Sequence, residues 1–143
     1  MLALTEKVIS LDVEATTPEE AIRIAGALLV ADNKVEERYV EAMVKGLKDV
    51  GPYIVIAPLI AVPHARPEQG VIQQGVSIVR LKNPVVFGHP TNDPVQIVCA
   101  LCGTDSTTHI GMLQSLAAIL GNKEKLKTIL TTDSKEEIIS ITK

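Results

Sequence analysis

Residues 51–68 read Gly51-Pro-Tyr-Ile-Val-Ile-Ala-Pro-Leu-Ile-Ala-Val-Pro-His-Ala-Arg-Pro-Glu68. Two short apolar runs, 53–56 and 60–62, are separated by Ala57-Pro58 and followed by a stretch of turn formers over 63–70. Apolar runs of this length, bounded by Gly and Pro, predict strands or strand ends followed by a loop. Immediately upstream, 35–48 carries Tyr39, Met43 and Leu47 one turn apart on one helical face, and Gly51-Pro52 ends that helix.

Working outward, 7–13 predicts a first short strand. Thr17-Pro18-Glu19-Glu20 is a helix start, with a capping threonine, proline at the first helical position and glutamate at the third. The helix runs on through the apolar 21–30. Downstream, 75–81 and 85–87 predict strands, 88–94 a turn, and the apolar 95–102 a buried strand. Residues 103–108 supply the cap of a helix reaching 121, with Ile110, Leu113, Ala117 and Leu120 as its inward seam. Shorter helices follow over 123–130 and from the capping box Ser134-Lys-Glu-Glu137 to the end. Helices that precede, interrupt and follow strands imply an α/β fold, a single domain over 1–143 with helices covering a central sheet.

Composition narrows the function. A chain of 143 residues buries roughly 70% of its unfolded surface on folding. With aromatics at 2% and no Trp, the core must be built from Ile, Val, Leu and Ala. A net charge of -3 gives no footprint for nucleic acid, and few aromatics leave no platform for base stacking. No run of about 18 apolar residues occurs, so no direct membrane contact is expected, and the start carries no secretion signal. Cys99 and Cys102 form a C-x-x-C. Within one strand their side chains face opposite ways with Cα atoms about 10 Å apart, beyond disulfide reach, so two buried thiols are expected.

Three histidines can carry chemistry: His64, His89 and His109. His64 follows an apolar strand and sits between Pro63 and Pro67, which fix φ and stiffen the loop. A phosphoryl acceptor needs such a fixed imidazole, with one nitrogen unprotonated and the other donating to an acceptor. His109 stands in the first turn of a helix, where free N–H groups and the dipole favour an anion and Ser106, Thr107 or Thr108 add hydroxyls. His89 lies in a polar turn and is expected to be exposed and without a role. A metal-dependent hydrolase using all three is the enzyme alternative, but no H-x-x-x-H spacing exists, so neither metal nor other cofactor is expected.

The run Ile60-Ala-Val-Pro-His-Ala65 resembles the active-site hallmark of the mannitol/fructose-type enzyme IIA family of the sugar phosphotransferase system. Pro52-Tyr-Ile-Val-Ile-Ala-Pro58 before it and Ala65-Arg-Pro-Glu68 after it are similar to the ascorbate-type branch. The likeness continues in Asn83-Pro-Val-Val-Phe-Gly88, Asn92-Asp-Pro-Val95 and Thr108-His-Ile-Gly-Met-Leu-Gln-Ser-Leu116. It implies a mixed β-sheet flanked by helices on both faces, in a cytoplasmic phosphocarrier. His64 would take phosphate from HPr and pass it to an enzyme IIB cysteine or histidine, with His109 bonding the phosphoryl group. A membrane enzyme IIC, served indirectly, would choose the sugar. A regulatory relative that signals by its phosphorylation state is the alternative function.

Two positions depart from the family pattern. The arginine that relatives carry at the end of the second helix is missing from Met43-Val-Lys-Gly-Leu-Lys48, leaving Lys45, Lys48 or Arg66 to neutralise phosphate. Leu59 stands where relatives usually have glycine.

Overall fold

Thr17 opens the first helix as its local chemistry dictates: its hydroxyl accepts from the Glu20 amide at 3.1 Å, with Pro18 in the first turn. A computed structural model describes Leu2 and residues 4–143. In chain order they form β1 (Ile9–Val13), α1 (Pro18–Ala31), α2 (Glu37–Val50), β2 (Val55–Ala57), β3 (Leu59–Ala61), β4 (Gly75–Val76), β5 (Ile78–Val85), β6 (Val95–Val98), β7 (Leu101–Cys102), α3 (Ser106–Leu120), α4 (Lys123–Thr131) and α5 (Lys135–Ile141).

Five strands make a mixed sheet in the order β1-β5-β6-β3-β2. β1 runs parallel to β5 and β3 parallel to β6, while β5–β6 and β2–β3 are antiparallel. β4 and β7 form a separate antiparallel pair. Helices cover both faces. Ser77, just ahead of β5, donates to the Ala25 carbonyl of α1 at 2.8 Å. Arg80, three residues on and therefore facing the other way, donates to the carbonyls of Ile129 and Thr132 at the end of α4. Arg80 is almost fully buried and is neutralised by Asp12 at 3.0 Å. The core is aliphatic, as the composition requires. Among the described residues no helix is long and apolar enough to cross a membrane.

Four local expectations need correction. Tyr53 and Ile54 lie in a turn, and the strand begins only at Val55. The strands expected at 75–81 and 85–87 are instead β4 followed by one strand, β5, which passes through Asn83-Pro84. The ladder is irregular between Arg80 and Val85, and a proline, lacking an N–H, is tolerated at such a break. The run 95–102 is two strands, because the chain leaves one sheet for the other at Cys99-Ala100. The inward residues of α3 are Leu116, Ile119 and Leu120, while Ile110 and Ala117 face outward. That helix has no charged residue, so apolar spacing alone does not mark its buried face.

Candidate active site

Beyond Ala61 the chain continues extended through Val62 and Pro63 to His64. The Pro63 carbonyl accepts from the Leu101 amide at 3.0 Å, and His64 forms an isolated parallel bridge with Leu101. His64 therefore sits past the C-terminal end of β3 and beside β7, the edge where open α/β sheets leave room for a ligand. Its Nδ1 lies 2.9 Å from the Val62 carbonyl oxygen. A carbonyl can only accept, so Nδ1 carries a hydrogen, and in the neutral ring Nε2 keeps the lone pair.

His109 reaches the same place from α3. The two imidazole centroids are 5.0 Å apart, tilted by 54°, and Tyr53 stands edge-on to His64 at 5.9 Å. Gly103 makes this approach possible. A Cβ there would lie 2.7 Å from the Cα and Cβ of His109 and 2.8 Å from its N. Burial first, and the nearby His64 second, hold the His109 imidazole below its ordinary value, which favours its neutral form.

Both histidines open onto a cleft of 730 Å³, lined also by Lys45, Asp49, Tyr53, Ala65, Arg66, Ser106 and Ile110. The rim is apolar, with Val50 71%, Tyr53 45% and Ile110 53% exposed. Ile60 and Val62, beside the loop, are core residues, whereas Ala65 lines the cleft. Of the hydroxyls expected at the α3 start, Ser106 lines the cleft, and Thr107 and Thr108 do not. The Thr108 amide is taken by Asp105 Oδ1 at 2.7 Å, a bond that leads the forces holding the Asp105 carboxyl below the usual range. This carboxylate cap offsets part of the positive end of the helix dipole.

The cations differ in their commitments. Lys45 is paired with Asp49, and Lys48 with Glu19 of α1 at 3.0 Å. Arg66 borders the cleft, is exposed, and has no ion pair among the described residues. His89 lies apart. It is half-buried rather than exposed, and its Nδ1 accepts from the amides of Thr91 and Asn92 at 3.2 and 3.0 Å, clamping its own turn. Among the described residues no three His, Cys, Asp or Glu side chains gather as a metal site. Cys99 and Cys102 are free and buried, and burial pushes both thiols up to about 12.

Leu59, on β3 ahead of the site, carries a backbone cost: its φ is +73°, the left-handed region that favours glycine. A glycine, the residue the family resemblance leads one to expect at this position, would adopt that conformation without strain. Sequence reasoning missed Tyr39, Gly103 and the rim residue Val50. None of them carries a local pattern pointing to His64.

A family model described as "Phosphoenolpyruvate-dependent sugar phosphotransferase system, EIIA 2" matches residues 3–143. The chain is 39% identical over 137 residues to the ascorbate-specific PTS system EIIA component of Escherichia coli (strain K12), covering 94% of this chain and 88% of that relative. The crystal structure of IIA mannitol from Escherichia coli superposes with a TM-score of 0.87 at 30% identity, covering 99% of this chain and 100% of the other. The complex of enzyme IIAMTL and phosphorylated enzyme IIBMTL from Escherichia coli matches with a TM-score of 0.87 at 29% identity, over 99% and 98% of the two chains.

Proposed function

This chain belongs to the EIIA 2 family of the phosphoenolpyruvate-dependent sugar phosphotransferase system, and from that premise we propose that His64 is the residue on which it carries the phosphoryl group. As an EIIA component it is a phosphotransferase component, taking phosphate from an HPr-type donor and passing it to an EIIB partner.

The observation that carries the assignment is the bond from His64 Nδ1 to the Val62 carbonyl, made by a ring that opens onto the cleft. With Nδ1 protonated, the Nε2 lone pair attacks phosphorus in line with the departing imidazole nitrogen of the donor. The Nε2–P bond forms as the donor N–P bond breaks, and the donor ring recovers its electron pair. No proton has to move. The phosphorylated ring is cationic, and the Val62 carbonyl stabilises that charge through the Nδ1–H bond. Delivery to EIIB is the same exchange with the partner's nucleophile attacking.

Three equatorial oxygens carry negative charge during transfer. We assign their stabilisation to a neutral His109 donating one N–H, to the guanidinium of Arg66, which has no ion pair among the described residues, and to the Ser106 hydroxyl. Arg66 takes the part of the missing family arginine because Lys45 and Lys48 are already committed to carboxylates. Thr107 and Thr108 act through the helix start rather than by direct contact. The apolar rim of Val50, Tyr53 and Ile110 suits a contact of modest area that forms and releases quickly.

The ascorbate-specific relative supports an ascorbate-type substrate, chosen by a membrane enzyme IIC that this cytoplasmic domain, spanning 1–143, serves indirectly. The test is to incubate the protein with phosphoenolpyruvate, enzyme I and HPr and map the labelled residue. His64→Ala should not label, and His109→Gln should label more slowly. A His64→Ala chain labelled as fully as the original would overturn the assignment.

A further inference from the structure

The side chain that immobilises the backbone around His64 comes from α2, 25 residues earlier in the chain. Tyr39 is completely buried. Its hydroxyl accepts from the Ala65 amide at 2.9 Å and donates to the Leu101 carbonyl at 2.7 Å, with the Ala65 carbonyl 3.2 Å away. Both of its partners border the acceptor histidine: Ala65 follows it, and Leu101 bridges to it. Leu101 also donates to Pro63 at 3.0 Å. The chain before His64 is thus fastened to β7 directly, and the chain after it is fastened to β7 through the phenol.

We propose that Tyr39 is a positioning residue for phosphoryl transfer, locking the 63–65 backbone so that His64 Nε2 meets the incoming phosphorus in line. The proposal rests on His64 being the acceptor. Burial raises the Tyr39 phenol well above its ordinary value, so its single hydrogen is always available for Leu101. Among the described residues no other group accepts from the Ala65 amide. The Ala65 amide has no backbone carbonyl partner, so without the phenol it would be a free loop donor. The Val62 carbonyl that fixes the His64 tautomer lies in the same short segment, so a loosened loop moves both the ring and the acceptor that orients it.

The test compares the full chain with Tyr39→Phe and with Ile22→Val, a core variant of α1 that is remote from the loop and lowers stability without touching it. Single-turnover labelling by phospho-HPr should slow at least 10-fold in Tyr39→Phe and stay within twofold in Ile22→Val. Amide hydrogen exchange should show Ala65 protected in the original chain and at least 100-fold faster in Tyr39→Phe. Long-range proton–nitrogen spectra should show the His64 Nδ1–H form losing dominance. A Tyr39→Phe chain that labels at the original rate, or one whose slowing Ile22→Val reproduces, overturns the proposal. If Tyr39→Phe does not fold, exchange in the original chain decides: an Ala65 amide as fast as a free loop amide refutes the lock. An original chain that labels elsewhere than His64 instead refutes the acceptor assignment, so the two failures are separable.

Discussion

Gly103→Ala should slow phosphoryl transfer while leaving the fold intact, and the structure gives the size of the disturbance. The added Cβ would stand 2.7 Å from His109 Cα, against about 3.4 Å for ordinary contact, so the start of α3 must retreat by about 0.7 Å. The atoms that must give way are the backbone of His109 and its own Cβ, not the tip of a flexible side chain. Overpacking of this kind costs about 1–3 kcal/mol of stability. Misplacing a catalytic group by about 1 Å costs on the order of 100-fold in rate, so a shift of this size should cost roughly 10-fold or more. The assay is quenched single-turnover labelling by phospho-HPr, with urea unfolding to measure stability. Gly111→Ala is the control on the same helix, because a Cβ there meets nothing within 4 Å. A Gly103→Ala chain that transfers at the original rate, with His64–His109 proton contacts unchanged, would refute the reasoning.

Three further outcomes follow. His109 has a folded-state pKa below its ordinary 6.5, so below that pH the unfolded chain binds more protons than the folded one. Stability should therefore fall as pH drops from about 6.5 until the folded His109 is itself protonated, and urea midpoints for His109→Gln should lack this component. Phosphorylating His64 replaces a neighbour that lowers the His109 pKa with an anionic group, so a nuclear magnetic resonance titration should find His109 higher in the phosphorylated chain; an unchanged or lower value would remove it from the phosphoryl site. At position 59, Leu59→Gly should be about 1 kcal/mol more stable than Leu59→Ala in urea unfolding, reversing the usual order, because both lose the side chain but only glycine relieves φ of +73°.

What the sequence revealed well was local chemistry. Thr17 and Ser134 each accept from an amide three residues on, a bond that needs nothing beyond its own turn. The hydroxyls and prolines that specify such starts are visible in any reading. Longer apolar stretches were harder. The run 95–102 is buried apart from half-buried Gln96, so hydropathy gives no sign of the break at Cys99-Ala100 where the chain changes sheets. On α3, apolar residues lie on every side, and Ile110 faces the cleft because the helix start is held by Gly103 and Asp105, not by its own periodicity.

The site divides the same way. His64 stood out because Pro63 and Pro67 mark a stiff loop after an apolar strand, and the bond that sets its tautomer spans only two residues. His109 was visible as a helix-start histidine, but its meeting with His64 depends on a side chain that Gly103 lacks. Tyr39 was legible only as one member of a helical stripe, because its partners lie 26 and 62 residues away. The rim residue Ile110 had been expected to face inward.

These two ranges of interaction point to different roles in the reaction. The proposed nucleophile is prepared locally: the Val62 carbonyl, two residues back, decides which nitrogen of the neutral His64 ring keeps its lone pair. Of the groups proposed to meet the transferred charge, Arg66 lies in the same loop while His109 arrives on α3, and the backbone lock comes from α2. Loosening the long-range packing should therefore lower the rate while leaving the site of phosphorylation unchanged. Changing the Val62 carbonyl's position should alter which nitrogen can react at all. On the proposed assignment, the identity of the acceptor is written within the 62–64 segment, and speed is written in how α2, β7 and α3 close around it.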